Sequence, residues 1–328
     1  MTERENVLKV YRHEKPEWIP IWNEAFHVAG WASNERGVLG EEIRPGVKLD
    51  CFGAEWIAAE GSTVPVSGHY VLEDITDWQE VVKFPHPREY NWDMIRAMEL
   101  DGYDGTKCLV YFCEEGLFDR LTTLMGFEEG MIALVTEPEE CAAFFQRLTE
   151  YKIELIECAK KYIKPDVVMY TDDIAKSDSL FMSPDCYREV IKPYHAQIIQ
   201  AIKENGMIAE QHTCGKYRAV LEDYLEIGIE SLYPIQPSND VADIQKRYGD
   251  RVVINGGFDS QGPPGREDAN EEVTRAEARR MAREYAVNGS YICMPLIGNG
   301  MFLTPTQADR MNWFTDEFRK ECRLLGLR

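Results

Sequence analysis

The sequence predicts a (β/α)8 TIM barrel with an N-terminal elaboration, and three observations carry that expectation. From about residue 107 onward, strand-like apolar runs alternate with helix-period stretches, the pattern of repeated βα units around a parallel sheet. The length of 328 residues suits a barrel of ~250 residues with an extension at its amino end. No G-x-G-x-x-G follows the first apolar run, so an open doubly wound sheet, the runner-up, lacks its usual dinucleotide signature.

The elements follow in order. Ile19 to Trp22, an apolar run between proline and Asn23, reads as a first strand. An N-terminal segment of about residues 1–90 differs in texture; between Asp50 and Pro85 its short apolar runs are separated by Gly, Ser and Pro, as in hairpin or irregular structure capping one end of a domain. Further strands are expected at Lys107 to Cys113, Val167 to Thr171, Met207 to Gln211, Ser231 to Ile235, Val252 to Asn255 and Tyr291 to Met294. Helices are expected at Pro138 to Tyr162, Pro184 to Glu204, Tyr217 to Ile227, Val241 to Tyr248, Glu271 to Val287 and Thr304 to Cys322. Ser183-Pro184 and Thr304-Pro305 place a capping hydroxyl before an N1 proline. No linker, low-complexity tract or internal repeat divides the chain, so residues 1–328 are expected to form a single domain.

Composition bounds the function. With 57 acidic against 36 basic side chains the formal charge is -21, which repels phosphate backbones and anionic membranes and argues against nucleic-acid binding. No segment has the ~18 uninterrupted apolar residues of a membrane span, and Met1 to Lys15 is too charged for a secretory signal. A cytoplasmic location is expected. Nine scattered cysteines read as reduced thiols rather than a disulfide framework.

In such barrels the active site lies at the carboxyl ends of the strands. Those ends carry Glu114 and Glu115, Asp172 and Asp173, His212 and Cys214, Gln236, Asp259, and Cys293. In an extended chain residues i and i+2 share a face, so the His212 imidazole and the Cys214 thiol point the same way. Cys293, on the last strand, can join them at the rim of a closed barrel, and two thiolates with an imidazole suit zinc with one position open. The competing account is a strand-end histidine beside two buried thiols. The adjacent carboxylates of Asp172 and Asp173 repel, so one of them can serve as proton donor, unless they cap a helix or brace a loop. Glu115 precedes a helix beginning near Leu117, where an acid favours the helix N-terminus. Gly256 to Asp259 reads as a turn that either approaches a ligand or is simply a turn. His195, mid-helix, is expected to be a packing or surface residue, and His13, His27, His69 and His86 lack ligand spacing.

Together these stretches resemble the uroporphyrinogen decarboxylase superfamily. The resemblance lies in Asp50 to Trp56, in Glu115 to Arg120 with Gly126-Phe127-Glu128, and in Tyr170 to Asp173 running on to Leu180 to Pro184. It continues in His212-Thr213-Cys214-Gly215, and in Gly249-Asp250-Arg251 leading to Gly256 to Asp259. The family fold is a (β/α)8 barrel. Its corrinoid-dependent methyltransferase branch carries an H-x-C and a distant Cys, which implies zinc ligands at His212, Cys214 and Cys293. The resemblance thus implies a zinc-dependent methyltransferase moving a methyl group between a small methyl donor or acceptor, a methyl ether or a thiol, and a corrinoid carried by a partner protein. Asp172 or Asp173 would position substrate or donate a proton, and Glu115 would complete the zinc shell when substrate is absent. Glu55, Trp56, Glu115, Tyr170, Phe181 and Asp259 would contact substrate; the aromatics among them offer a wall for an aromatic methyl ether, and core packing is their other reading. The decarboxylase branch carries an arginine motif after its first strand, whereas this chain has Ile21 to His27 without arginine, which disfavours a polycarboxylate substrate. A metal-free decarboxylase, a non-catalytic binding barrel and a purely structural zinc site are the remaining alternatives.

Overall fold

The computed structural model describes residues 1–34, 42–59, 62–298 and 303–327. Seven parallel strands form one curled sheet in the order β1 (Phe26–Ala29), β6 (Cys108–Cys113), β7 (Val167–Thr171), β8 (Ile208–His212), β9 (Ser231–Ile235), β10 (Val253–Gly257) and β11 (Tyr291–Met294). Between the first two lies a separate antiparallel sheet of β2 (Glu42–Arg44), β3 (Val47–Leu49), β4 (Glu55–Ala59) and β5 (Ser62–Pro65). The second sheet overlaps only the start of the stretch Asp50 to Pro85 expected to be hairpin-like, since β2 and β3 precede it and only β4 and β5 fall inside it.

The sheet has seven strands among the described residues, not the eight expected. The run expected as the first strand is one bridge, Ile21 to Cys293, with the Cys293 amide donating to the Pro20 carbonyl (2.9 Å). A single helical turn, Trp22–Ala25, then interrupts the chain before β1 pairs with β6. That bridge joins the sheet's last strand to the approach of its first, so the sheet curls around a lumen.

Both faces of the sheet are buried, as βα crossovers require. All five residues of β7, β9 and β10 and all four of β11 are buried. One apolar cluster fills the lumen, with Val110, Val167, Met169, Val253, Ile292 and Met294 meeting Val7, Val10 and Tyr11. The last three come from the helix Glu3–Tyr11, started by a Thr2–Glu5 capping box, which plugs the amino-terminal end. The larger cluster packs between the sheet and the surrounding helices, and it takes Leu109, Tyr111, Val168, Tyr170, Leu232, Tyr291 and Cys293. Alternation along each strand divides the two.

The parallel register stacks the lumen in layers. Val110, Val167 and Ile208 are successive partners; above them come Phe112, Met169, Glu210 and Ser231, and then Thr171, His212 and Tyr233. Glu210 is fully buried in the middle layer, where its Oε2 accepts from Ser231 Oγ (2.7 Å), Asn255 Nδ2 (3.0 Å) and Tyr11 Oη (3.1 Å).

The helices largely follow the expected spans, and Ser183 and Thr304 cap theirs as predicted. The stretch Pro184 to Glu204 is broken by a π turn at Tyr187–Ile191 before Lys192–Glu204. Pro193 has no amide to donate into the preceding turn, which accounts for the widening.

Candidate metal and substrate site

The last inward residue of β8 is His212, and the chain then turns sharply. The Thr213 amide donates to the Tyr233 carbonyl (3.1 Å) and its hydroxyl to the Asp172 carbonyl (2.9 Å). Gly215 has φ 89° and passes so close to the next loop that a Cβ would lie 2.4 Å from the Lys176 carbonyl oxygen; only glycine fits there. Its amide donates to Gln236 Oε1 (2.9 Å) and its carbonyl accepts from Asn239 Nδ2 (2.8 Å). This locked turn folds the Cys214 thiol back toward the imidazole, with Sγ 3.6 Å from His212 Nε2.

Asp173, the next inward position after Thr171 on β7, completes the group. Its Oδ1 accepts from the Cys214 amide (2.6 Å) and lies 3.9 Å from His212 Nε2. One ligand atom each from Asp173, His212 and Cys214 falls within 4.8 Å of the other two, and all three residues are half-buried. Burial lowers the affinity of the imidazole for a proton, which leaves it in the neutral form that ligates metals. Burial, then the carboxylates of Asp173 and Asp119, push the thiol upward, so a bound cation is what would ionise it. His212 Nδ1 is buried without a partner. A nitrogen, a sulfur and an oxygen donor of this kind fit zinc.

Cys293, expected as the third ligand, is not in this group. Ile292 and Met294 face the lumen, so Cys293 faces outward, where burial raises its thiol beside Tyr291, Cys322 and Arg319. Asp172 is also turned outward. Its Oδ2 accepts from the Leu117 and Phe118 amides (3.1 and 3.2 Å), its Oδ1 from the Asp119 amide (3.0 Å), and His195 Nε2 sits 2.7 Å from Oδ2 with both side chains fully buried. It caps the helix Leu117–Met125, and Gly116 is glycine because a Cβ would lie 2.4 Å from the Asp172 Cβ. His195 is therefore a buried hydrogen-bond partner of Asp172 rather than a surface residue.

The other expected contacts are engaged elsewhere. Glu115 accepts from Thr123 Oγ1 (2.9 Å) and faces Arg120 (3.8 Å), away from the three donors. Arg120, fully buried, binds Asp50 at 2.5 Å and lies over the Phe52 ring. Glu55 pairs with Arg44 on the small sheet, and Trp56 Nε1 donates to Asp50 (3.0 Å). Tyr170 is behind the sheet, its hydroxyl accepting from the Leu117 amide (3.2 Å), and Phe181 stacks on Phe118 and meets Phe127 edge-on. Asp259 holds its own turn by accepting from the Gly262 amide (2.8 Å).

Two features escaped the sequence reading. Asp119 accepts from the Asp173 amide (3.0 Å) and so positions it; burial and then the neighbouring Asp172 and Asp173 carboxylates raise its own carboxyl well above the usual range. An aromatic wall also flanks His212. Tyr233 lies 5.4 Å from it and Phe112 6.4 Å, Trp22 is 5.5 Å from Tyr233, and Trp31 is 4.8 Å from Phe112. The signal for Phe112 and Tyr233 was parity, since each precedes its strand end on the inward set; Trp22 and Trp31 had none.

Known proteins add to this geometry. The sequence model of the family described as Uroporphyrinogen decarboxylase (URO-D) matches residues 47–320. The methylcobamide:CoM methyltransferase MtaA of Methanosarcina barkeri is 30% identical over 95 residues, 29% of this chain and 26% of that protein, so the match spans about a quarter of the relative. A methyltransferase from Methanosarcina mazei superposes with a TM-score of 0.67, over 98% of this chain and 99% of its own, at 14% identity, a likeness of fold. No described helix is long and apolar enough to cross a membrane.

Proposed function

We propose that this chain, which belongs to the uroporphyrinogen decarboxylase family, is a zinc-dependent methyltransferase that moves a methyl group between a small substrate and a corrinoid carried by a partner protein. The convergence of Asp173, His212 and Cys214 at the mouth of the lumen carries the reading, and the partial likeness to MtaA supports it. The curled sheet with its Ile21–Cys293 bridge is read as a TIM-type barrel whose first strand is interrupted.

His212, Cys214 and Asp173 would hold the zinc, which supplies Lewis acidity toward a substrate sulfur or oxygen. The chain's own residues do the rest. Asp173 fixes the Cys214 backbone, Asp119 fixes Asp173, and Gly215 with Gln236 and Asn239 fixes the turn, so that the donors are organised before ligand arrives. The aromatic wall excludes water from one side of the site. Asp172 is committed to a helix and to His195, so proton delivery is not its part.

Decarboxylation of a polycarboxylate fits less well. None of the seven strands carries a lysine or arginine, and cationic partners are what such a substrate requires.

The test mixes the protein with reduced corrinoid protein and a panel of methylated small molecules and thiols, following the cobalt absorbance. Methyl transfer by the wild type that Cys214→Ser abolishes is the expected result. Transfer unaffected in Cys214→Ser and Asp173→Asn would place the chemistry elsewhere.

A further inference from the structure

Beneath the three donors, the lumen brings together polar atoms that the methyl-transfer reading leaves unused. Thr171 and His212 are cross-strand partners in the upper layer, and Glu210 lies one layer down, two residues before His212 on the same face of β8. Asn255, at the register shift between β10 and β9, faces the same lumen and donates from Nδ2 to Glu210 Oε2 (3.0 Å). Each of these four residues has one buried atom without a hydrogen-bond partner among the described residues: Thr171 Oγ1, His212 Nδ1, Glu210 Oε1 and Asn255 Oδ1. A buried polar atom left unpaired is costly, and four on adjacent inward positions call for a shared partner.

Hydrogen-bond chemistry decides what that partner is. Ser231, Asn255 and Tyr11 all donate to Glu210 Oε2, which marks the group as an acceptor. Glu210 Oε1 and Asn255 Oδ1 both accept, so neither can satisfy the other. His212 Nε2 faces Cys214 Sγ (3.6 Å) and Asp173 Oδ1 (3.9 Å), and a lone pair turned to that side leaves Nδ1 to carry the proton and donate. The Thr171 hydroxyl can donate as well. Two acceptors and two donors are the complement of one water molecule, which donates twice and accepts twice. Successive inward side chains on a strand are about 6–7 Å apart, close to the span of two hydrogen bonds through one water.

We infer that one buried water lies between Thr171, Glu210, His212 and Asn255, accepting from Thr171 Oγ1 and His212 Nδ1 and donating to Glu210 Oε1 and Asn255 Oδ1. Glu210, Asn255 and Thr171 are thereby positioning residues. Through the water they hold the imidazole with its proton on Nδ1 and its lone pair on Nε2, on the side of Cys214 and Asp173, as a carboxylate behind a metal-binding histidine does. Tyr11 extends the arrangement to the plug helix Glu3–Tyr11, because its hydroxyl donates to Glu210 Oε2 (3.1 Å). The inference deepens the zinc reading and rests on it for the metal, while the tautomer it assigns to His212 holds with or without metal.

Proton–nitrogen correlation spectra of the full chain with isotope-labelled histidine, recorded with and without zinc, read the tautomer, and His212→Gln assigns the signal. The result expected is a proton on His212 Nδ1 in both samples. Zinc affinity, measured by competition with a chromogenic chelator, is expected to fall about tenfold in Glu210→Gln, which keeps one acceptor oxygen and replaces the other with a donor. Thr171→Val should fall in the same direction, and Thr171→Ser, which keeps the hydroxyl, should return to within about twofold of the wild type. Circular dichroism checks that each variant is folded, and the Thr171 pair carries the test if Glu210→Gln is not. A proton on Nε2 in the metal-free protein, or zinc affinity unchanged in the folded variants, overturns the inference; with zinc still bound by the wild type, the methyltransferase reading survives. A proton on Nδ1 in a protein that binds no zinc sinks the zinc-dependent reading and leaves the water site standing.

Discussion

Asp172 and Asp173 are neighbours in the chain and opposites in the structure. Asp172, itself fully buried, looks outward to three amides and the buried His195, where it joins β7 to the helix Leu117–Met125. Asp173 looks inward, half-exposed, beside His212 and Cys214. Cys214 and Cys293 repeat the contrast, one thiol folded to the mouth of the lumen and the other sealed beneath the outer helices. On the proposed reading, identical residue types at strand ends take a structural or a chemical part according to which face their parity gives them.

The comparison breaks most readily at Asp172. Replacing it with alanine strands the His195 side chain and the Phe118 and Asp119 amides, leaves the Leu117 amide only the Tyr170 hydroxyl, and should cost roughly 3–5 kcal/mol in urea unfolding. Asp173→Ala, in metal-free protein, should cost less than about 1 kcal/mol. If the two variants unfold alike, the division of labour is wrong. A smaller effect sharpens the outer face: Cys293→Ala should lose about 1 kcal/mol through its small cavity and retain the zinc of the wild type. The smallest belongs to Tyr170→Phe, which deletes one acceptor for the Leu117 amide while Asp172 Oδ2 still accepts from it. About 0.5 kcal/mol in thermal or urea unfolding, with no change in zinc content, is the expected outcome.

Much of the fold was legible because periodicity reports strands and helices directly. The spans of β7, β9, β11 and of the helices Pro138–Tyr162 and Val241–Tyr248 agree with the pattern, and β6, β8 and β10 differ at their ends by one or two residues. The first strand was less legible: Ile19 to Trp22 has the apolar character of a strand, yet Trp22 turns into a helical turn and into the lumen. The site was half legible. The i, i+2 spacing placed His212 and Cys214 together, as observed. It could not say which parity of β7 or β11 faces inward, because in a sheet buried on both sides the two faces are equally apolar. Tyr170, Asp172 and Cys293 fell on the outer face for that reason, and Phe112 and Tyr233 were passed over on the inner one. Asp119 shows the same limit for helices. It sits in the quoted stretch from Glu115 to Arg120, but only the packing of that helix start against β7 brings its carboxylate to the Asp173 amide.

The most direct test of the inward assignment is metal content after dialysis against a weak chelator, compared among the wild type, Asp173→Asn, Cys214→Ser and Cys293→Ala. The proposed function predicts about one zinc per chain in the wild type and in Cys293→Ala, and well under half in the other two. Zinc lost from Cys293→Ala and kept in Asp173→Asn would contradict it.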